Sequence, residues 1–173
     1  TVRIIPLFKR IEGTNIIHFR ALEPESRIQV DLFDNLSVDG ISMNGHKLTY
    51  YREHHAIFID FPETLQPGRD YELTIRYSGR PLKARKPPWE GGFDWSRDAK
   101  FNRWIGVACE HLGASLWWPN KDHLSDRPDS MALHFEVPKA YQAIANGSFR
   151  GSEEAEKGYT RYNWHVRYPI NNY

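Results

Sequence analysis

Hydrophobic and polar residues alternate with a period of two along most of the chain. Ile28, Val30 and Leu32 alternate with Arg27, Gln29 and Asp31, and Tyr71, Leu73, Ile75 and Tyr77 with Glu72, Thr74 and Arg76. The pattern returns in Met131, Leu133, Phe135 and Val137, and again in Tyr162, Trp164, Val166 and Tyr168. Alternation of this kind sets one strand face on a core and the other in water, as in antiparallel sheets. Asn44-Gly45 and Asn146-Gly147 predict hairpin turns, because both residue types tolerate positive φ. Pro67-Gly68 and Lys157-Gly158 read as further turns. Strands follow one another closely with no helical pattern of useful length between them. The expectation is a single all-β domain over residues 1–173, a mostly antiparallel sandwich or saddle.

Two stretches break the rhythm. Residues 78–104 are rich in Pro, Gly, Trp, Arg and Lys, and residues 109–130 are also irregular. Both read as long loops on a β scaffold, where function concentrates.

A length of 173 residues suits one large domain. Lys+Arg 23 against Asp+Glu 22 leaves a net charge of +1, which argues against nucleic acid or an anionic membrane as a partner. The basic run Arg80, Lys83, Arg85 and Lys86 beside Trp89 is broken by prolines and reads as solvated loop. A single cysteine, Cys109, excludes an intramolecular disulfide and a Cys-rich zinc module. No apolar run is long enough for a transmembrane helix. Residues 1–13 lack the apolar core of a signal peptide. A leader removed beforehand leaves no trace, so cytoplasm and periplasm both stay open.

Familiar catalytic motifs are absent: no HExxH, no G-x-S-x-G elbow and no P-loop. His54 and His55, adjacent on an expected strand, point to opposite faces and cannot share an ion. Glu110, His111, Asp122 and His123 form the one set that could gather around a metal, with scattered loop residues as the plainer reading. Trp89, Trp95, Trp104, Trp117 and Trp118 fit either an exposed stacking platform or a satellite core that holds long loops to the sheet. The satellite core is the plainer reading. Asn35-Leu36-Ser37 and Asn146-Gly147-Ser148 match the glycosylation sequon, a short pattern that arises by chance.

The segment WIGVACEHLGASLWWPNKDHLSDRPDSM, residues 104–131, resembles the aminopeptidase N-like zinc aminopeptidases of the gluzincin clan. GTNIIHFRAL resembles the second strand of their N-terminal domain, and RIQVDLFDNLSVDGI with MNGHKL the next hairpin. FPETLQPGRDYELTIRYSGRP resembles the strand pair ahead of the active-site segment. KPPWEGGFDW and NWHVRYPINNY are similar to the bacterial branch. The resemblance covers essentially the whole chain, in the right order.

It implies a saddle-shaped, mostly antiparallel N-terminal β domain that packs on a thermolysin-like catalytic domain of the same polypeptide. That partner would carry HExxH, a downstream Glu ligand and a G-x-M-E-N loop, none of which lies in this chain. Zinc would belong to the full-length protein, this chain would hold no metal and no cofactor, and alone it would be catalytically inactive. The start also looks clipped, with the first strand short, and Tyr173 falls where the last strands are still being completed. Family members carry Gln-x-Glu or Gln-x-Gln on a loop reaching into the cleft, where the last residue binds the substrate's free α-amine. The matching triplet is Ala108-Cys109-Glu110, so the resemblance gives Glu110 the role of amine anchor toward a peptide N-terminus. Ala108 departs from the usual Gln and removes one neutral hydrogen-bond partner. Asn120 stands where many relatives have Cys. Read from composition alone, the chain is instead a non-catalytic β-sandwich module whose Trp-rich loops contact carbohydrate or protein.

Overall fold

The computed structural model describes residues 1–124 and 126–169. In chain order its first strands are β1 (Val2–Ile5), β2 (Arg10–Arg20), β3 (Glu25–Asp31), β4 (Leu36–Met43) and β5 (His46–Lys47). β6 (Thr49–Glu53), β7 (Ala56–Leu65), β8 (Asp70–Gly79), β9 (Gly92–Arg97) and β10 (Arg103–Ala108) follow. β11 (Met131–Pro138), β12 (Ser148–Glu154) and β13 (Tyr159–Val166) complete the described residues, with short 3-10 turns at Ala114–Leu116 and Glu156–Gly158. The architecture is the expected all-β, mostly antiparallel one.

Eight strands form the large sheet in the order β12-β13-β11-β1-β2-β8-β4-β5. A three-stranded sheet, β3-β7-β6, and the hairpin β9-β10 complete the described strands. The period-two pattern does the work predicted of it. On β8, Leu73, Ile75 and Tyr77 are buried between β2 and β4, opposite Ile17, Asn15 and Gly13 on one side and Met43, Ile41 and Val38 on the other. Val30 faces Ile57 and Ile28 faces Ile59 in the small sheet. Ile11, Leu36, Ile41, Leu73 and Ile75 join Val30, Leu32, Ile57 and Ile59 in one core cluster. Burial of that apolar surface is what holds the two sheets face to face.

One pairing is parallel. β1 lies antiparallel to β2 and parallel to β11, with Val2 opposite Phe135 and Arg3 opposite Glu136. Its register lines up a row of alternating charge across five strands: Glu12, Arg3, Glu136, Arg161 and Glu153. Glu136 sits in the middle and is buried, its carboxylate accepting from Arg3 Nε at 2.7 Å and Arg161 Nη2 at 2.6 Å.

Several expectations change. Residues 78–104 are not one long loop, since β9 and β10 form a hairpin in unbroken register from Arg103↔Arg97 to Ala108↔Gly92. Asn44-Gly45 makes its hairpin, with φ of 52° and 79°. Asn146-Gly147 does not: it leads into β12, which pairs with β13 rather than with β11. The hairpin there is closed by Lys157-Gly158. Pro67-Gly68 turns the chain from the small sheet into the large one, so β7 and β8 are consecutive without being paired. His54 and His55 occupy the turn between β6 and β7, where the ring of His55 stacks on Phe33. Tyr168 lies beyond the end of β13 and is 87% exposed. The strand completion expected around Tyr173 falls outside the described residues.

Candidate functional site

Ala108 ends β10 opposite Gly92, and the chain then turns sharply. The carbonyl of Cys109 accepts the amides of Leu112 (3.1 Å) and Gly113 (2.9 Å), with His111 at φ 61° and Gly113 at φ 81°. A Cβ at Gly113 would run into the Asp122 carboxylate, so the turn requires glycine both for its backbone and for this close approach. Asp122 in turn accepts from the Ser115 amide (3.2 Å) and from the Ser115 hydroxyl. Its own amide donates to Asp31 Oδ2 at 3.1 Å.

The segment is tied to both sheets. Asp31 and Asn120 exchange backbone bonds of 2.7 and 3.1 Å, and the Phe33 amide donates to the Ser115 carbonyl. Asn15, on β2, donates its side-chain amide to the Pro119 carbonyl at 2.6 Å. The aromatic residues complete the attachment. Phe93 stacks on Trp95 and meets Trp117 edge-on, while Trp117 lies against Trp118 and stacks on Phe135 of β11. The tryptophan set therefore divides. Trp95, Trp117 and Trp118 pin the hairpin and the irregular segment to the core, whereas Trp89 and Trp104 are 66% and 60% exposed.

On this support sits Glu110, with its side chain 24% exposed. Gly91 packs behind it: a Cβ there would stand 2.7 Å from the Glu110 carbonyl oxygen. The carboxylate has one ion-pair contact among the described residues, 3.5 Å from Nε2 of the exposed His111. Cys109 beside Glu110 is not a nucleophile. Burial, reinforced by the negative charge of Asp122, pushes its thiol up to about 12, so the thiolate is scarce at neutral pH.

The four residues weighed as a metal set do not assemble. Asp122 is turned toward Ser115, Glu110 toward His111, and among the described residues no group of three or more His, Cys, Asp or Glu could hold a metal ion. The basic run Arg80, Lys83, Arg85 and Lys86 is exposed. Asn35, of the first sequon, donates its side-chain amide to the Arg80 carbonyl at 2.6 Å. No helix among the described residues is long and apolar enough to cross a membrane.

No protein-family model and no curated protein matches the sequence. Solved structures do. A two-domain M1 zinc metallopeptidase mutant bound to L-arginine superposes with a TM-score of 0.77 at 25% identity, over 95% of this chain and 36% of that one. An M1 zinc metallopeptidase from Deinococcus radiodurans gives 0.76 at 24% identity, over 94% and 36%. A mutant of the Deinococcus enzyme bound to a Tyr-Ser-Ala substrate gives the same values. The chain has the fold of an M1 peptidase N-terminal β domain. The chain thus spans a little over a third of the length of the structures it matches.

Sequence reading singled out Ala108, Cys109 and Glu110, which run from the end of β10 into the turn that follows it. It passed over Gly91, Gly92, Gly113, Ser115 and the distant Asp31, and weighed Asp122 only as a metal ligand, whereas Asp122 braces the turn through Ser115. The Gly91-Gly92 pair was the available signal, since adjacent glycines mark close backbone approach.

Proposed function

We propose that this chain is the N-terminal β domain of a zinc aminopeptidase of the M1 type, in which it shapes the substrate cleft and offers Glu110 to the α-amine of a peptide. Hydrolysis, the release of N-terminal residues from peptides, belongs to a zinc-bearing catalytic domain of the same polypeptide. The sequence likeness of residues 86–95 and 163–173 supports the bacterial branch. The observation that carries the reading is a partly buried carboxylate, on a turn braced by Asp122 and closely packed at Gly91, whose one ion-pair contact among the described residues is an exposed histidine. The ligands of the similar structures add support: L-arginine, L-tryptophan and Tyr-Ser-Ala differ in side chain and share an α-amino group.

The physics suits that assignment. A peptide α-amine, with a pKa of about 7.7–8.0, is largely protonated at neutral pH. Its attraction to a carboxylate strengthens as both leave water. Glu110 therefore selects a free chain end and fixes how far the first peptide bond lies from it. Ala108 offers no side-chain polar group, so the anchor here is a single charge rather than the usual pair. No step through a metal is assigned to these residues, and the isolated chain is proposed to be inactive.

The test uses the full-length polypeptide with an unblocked aminoacyl substrate. Glu110→Gln is expected to raise KM and to lower kcat/KM by about 10–100-fold, the value of one charge-assisted hydrogen bond. Wild-type kcat/KM should also fall above pH ~8 as the substrate amine deprotonates, and Glu110→Gln should flatten that limb. Kinetics unchanged by Glu110→Gln would remove the anchor assignment.

A further inference from the structure

The two ends of the large sheet differ in chemistry. β1 and β2 pair as far as Ile5↔Arg10, and residues 6–9 turn the chain beyond that pair. The turn is tight. The Phe8 amide donates to the Ile5 carbonyl at 3.2 Å, the Lys9 amide donates to the Pro6 carbonyl at 3.3 Å, and Lys9 adopts φ 50°. Leu7 and Phe8 at its apex are 74% and 58% exposed. An apolar pair held in water at the tip of a fixed hairpin marks a contact with something apolar outside the chain.

The charge around the apex says what that partner is. Arg10 closes the turn, and because Ile11 pairs with Gly79, Arg80 leaves β8 alongside Arg10. Lys83 follows in the segment whose backbone meets β9 at Phe93. Lys9, Arg10, Arg80 and Lys83 have no ion-pair partner among the described residues. The acids at this end of the sheet are already engaged. Glu154 pairs with Lys139 at 2.5 Å, Glu156 lies 4.0 Å from Arg3, and Asp34 lies 3.8 Å from His55. At the opposite end Leu22 is just as exposed, but it is followed by the exposed Glu23 and Glu25. The arginines there are occupied, Arg20 by Asp70 and Arg69 by the ring of Tyr71. A net charge of +1 averages over the chain and conceals this separation.

We propose that the β1–β2 turn is an interfacial anchor for an anionic lipid bilayer. Leu7 and Phe8 enter the headgroup boundary, and Lys9, Arg10, Arg80 and Lys83 pair with the charged headgroups around them. Neither half suffices alone. A few surface cations bind weakly and are screened by salt, and two apolar side chains bury too little surface to hold a protein on a membrane. A soluble polyanion would satisfy the cations and leave Leu7 and Phe8 in water, so the apolar apex selects the bilayer. The inference goes beyond the peptidase reading and does not depend on the role of Glu110.

The test sediments the full-length polypeptide with phosphatidylcholine vesicles, with and without phosphatidylserine. Binding is expected only to the vesicles that contain phosphatidylserine, and added salt should release it. Lys9→Ala and Arg80→Ala should each weaken that binding about fivefold. Leu7→Ser combined with Phe8→Ser should weaken it at least about tenfold. Both side chains are exposed, so this double variant should melt at the wild-type temperature, and a thermal melt confirms that the fold is intact. Leu22→Ser, at the acidic end, should bind like the wild type. Absence of binding to phosphatidylserine vesicles at low salt overturns the inference. So does full binding by the Leu7→Ser, Phe8→Ser variant, which would reduce the effect to attraction between the cations and any polyanion. Hydroxyl-radical footprinting of the lipid-free full-length polypeptide supplies the remaining check. Leu7 and Phe8 should be labelled readily, and protection of both would show that another part of the polypeptide covers the apex, which also overturns it.

Discussion

Glu136→Ala is expected to destabilise the domain by about 3 kcal/mol, because it leaves two arginines facing one another over a buried gap. At this chain length such a loss lowers the thermal midpoint by roughly 10 °C. Three adjacent strands are joined at this point, with Arg3 on β1, Glu136 on β11 and Arg161 on β13. Burial opposes the charge on Glu136, but the hydrogen bonds from Arg161 and Arg3 outweigh it and hold the carboxyl below its ordinary value. A group whose pKa is depressed on folding stabilises above its unfolded value of about 4.3 and loses that contribution as pH falls through the folded one. The wild-type midpoint should thus drop steeply below pH ~4, and Glu136→Gln should soften that drop. It will not abolish it, because Asp70, Asp98 and Glu154 are also held low by their partners. Melts of the wild type and both variants at pH 7 and pH 3.5 decide the matter. A Glu136→Ala midpoint within a degree or two of wild type would mean that the row of charges contributes nothing.

Gly92→Ala is expected to act on fold and site together. Gly92 has φ 132°, and a Cβ there would meet the Ala84 nitrogen at 2.5 Å and the Leu82 carbonyl oxygen at 2.9 Å. Neither is the end of a flexible side chain, so the backbone itself must move. Strain at the disfavoured φ and overpacking together cost about 2–5 kcal/mol. The displacement has a direction. Residues 82–84 should part from β9, breaking the bonds from the Ala84 amide to the Phe93 carbonyl and from the Phe93 amide to the Leu82 carbonyl. Opposite Gly92 stands Ala108, two residues before Glu110, so the base of the turn loosens as well. Amide exchange at Ala84 and Phe93 should accelerate far more than exchange on β8, and the midpoint should fall by roughly 10 °C. Protection retained at both amides with an unchanged midpoint would show that the crowding is relieved cheaply.

The strands were legible where one face is apolar. β8 and β3 follow their alternation because each is covered on a single side by the same core. β9 and β10 hid the same signal: Phe93 and Trp95 alternate with Asp94 and Ser96, and Ile105 and Val107 with Trp104 and Gly106. The glycines, prolines and charges around them outweighed those short runs. Asn146-Gly147 misled because a turn dipeptide states that the chain bends, not which strands it will join. Glu136 occupies a polar phase of β11, which predicts water. Its burial depends on arginines 133 and 25 residues away in the chain, and local pattern cannot supply them. Glu110 stands out only through family resemblance. The turn that holds it depends on Asp31 and Asp122, which nothing in the spacing brings together.

The parallel pairing of β1 with β11 also has a consequence for how the chain is made. β2 can close on β1 as soon as the first hairpin leaves the ribosome. The other side of β1 waits for Phe135 and Glu136, roughly 130 residues later. At translation rates of about 5–20 residues per second, that wait is on the order of ten seconds. For that time the nascent chain displays Val2 and Ile4 on an open strand, a target for chaperones or for a neighbouring nascent chain. Final closure of the large sheet is therefore a late event in biosynthesis, set by the emergence of β11 rather than by the intrinsic folding speed of the strands already made.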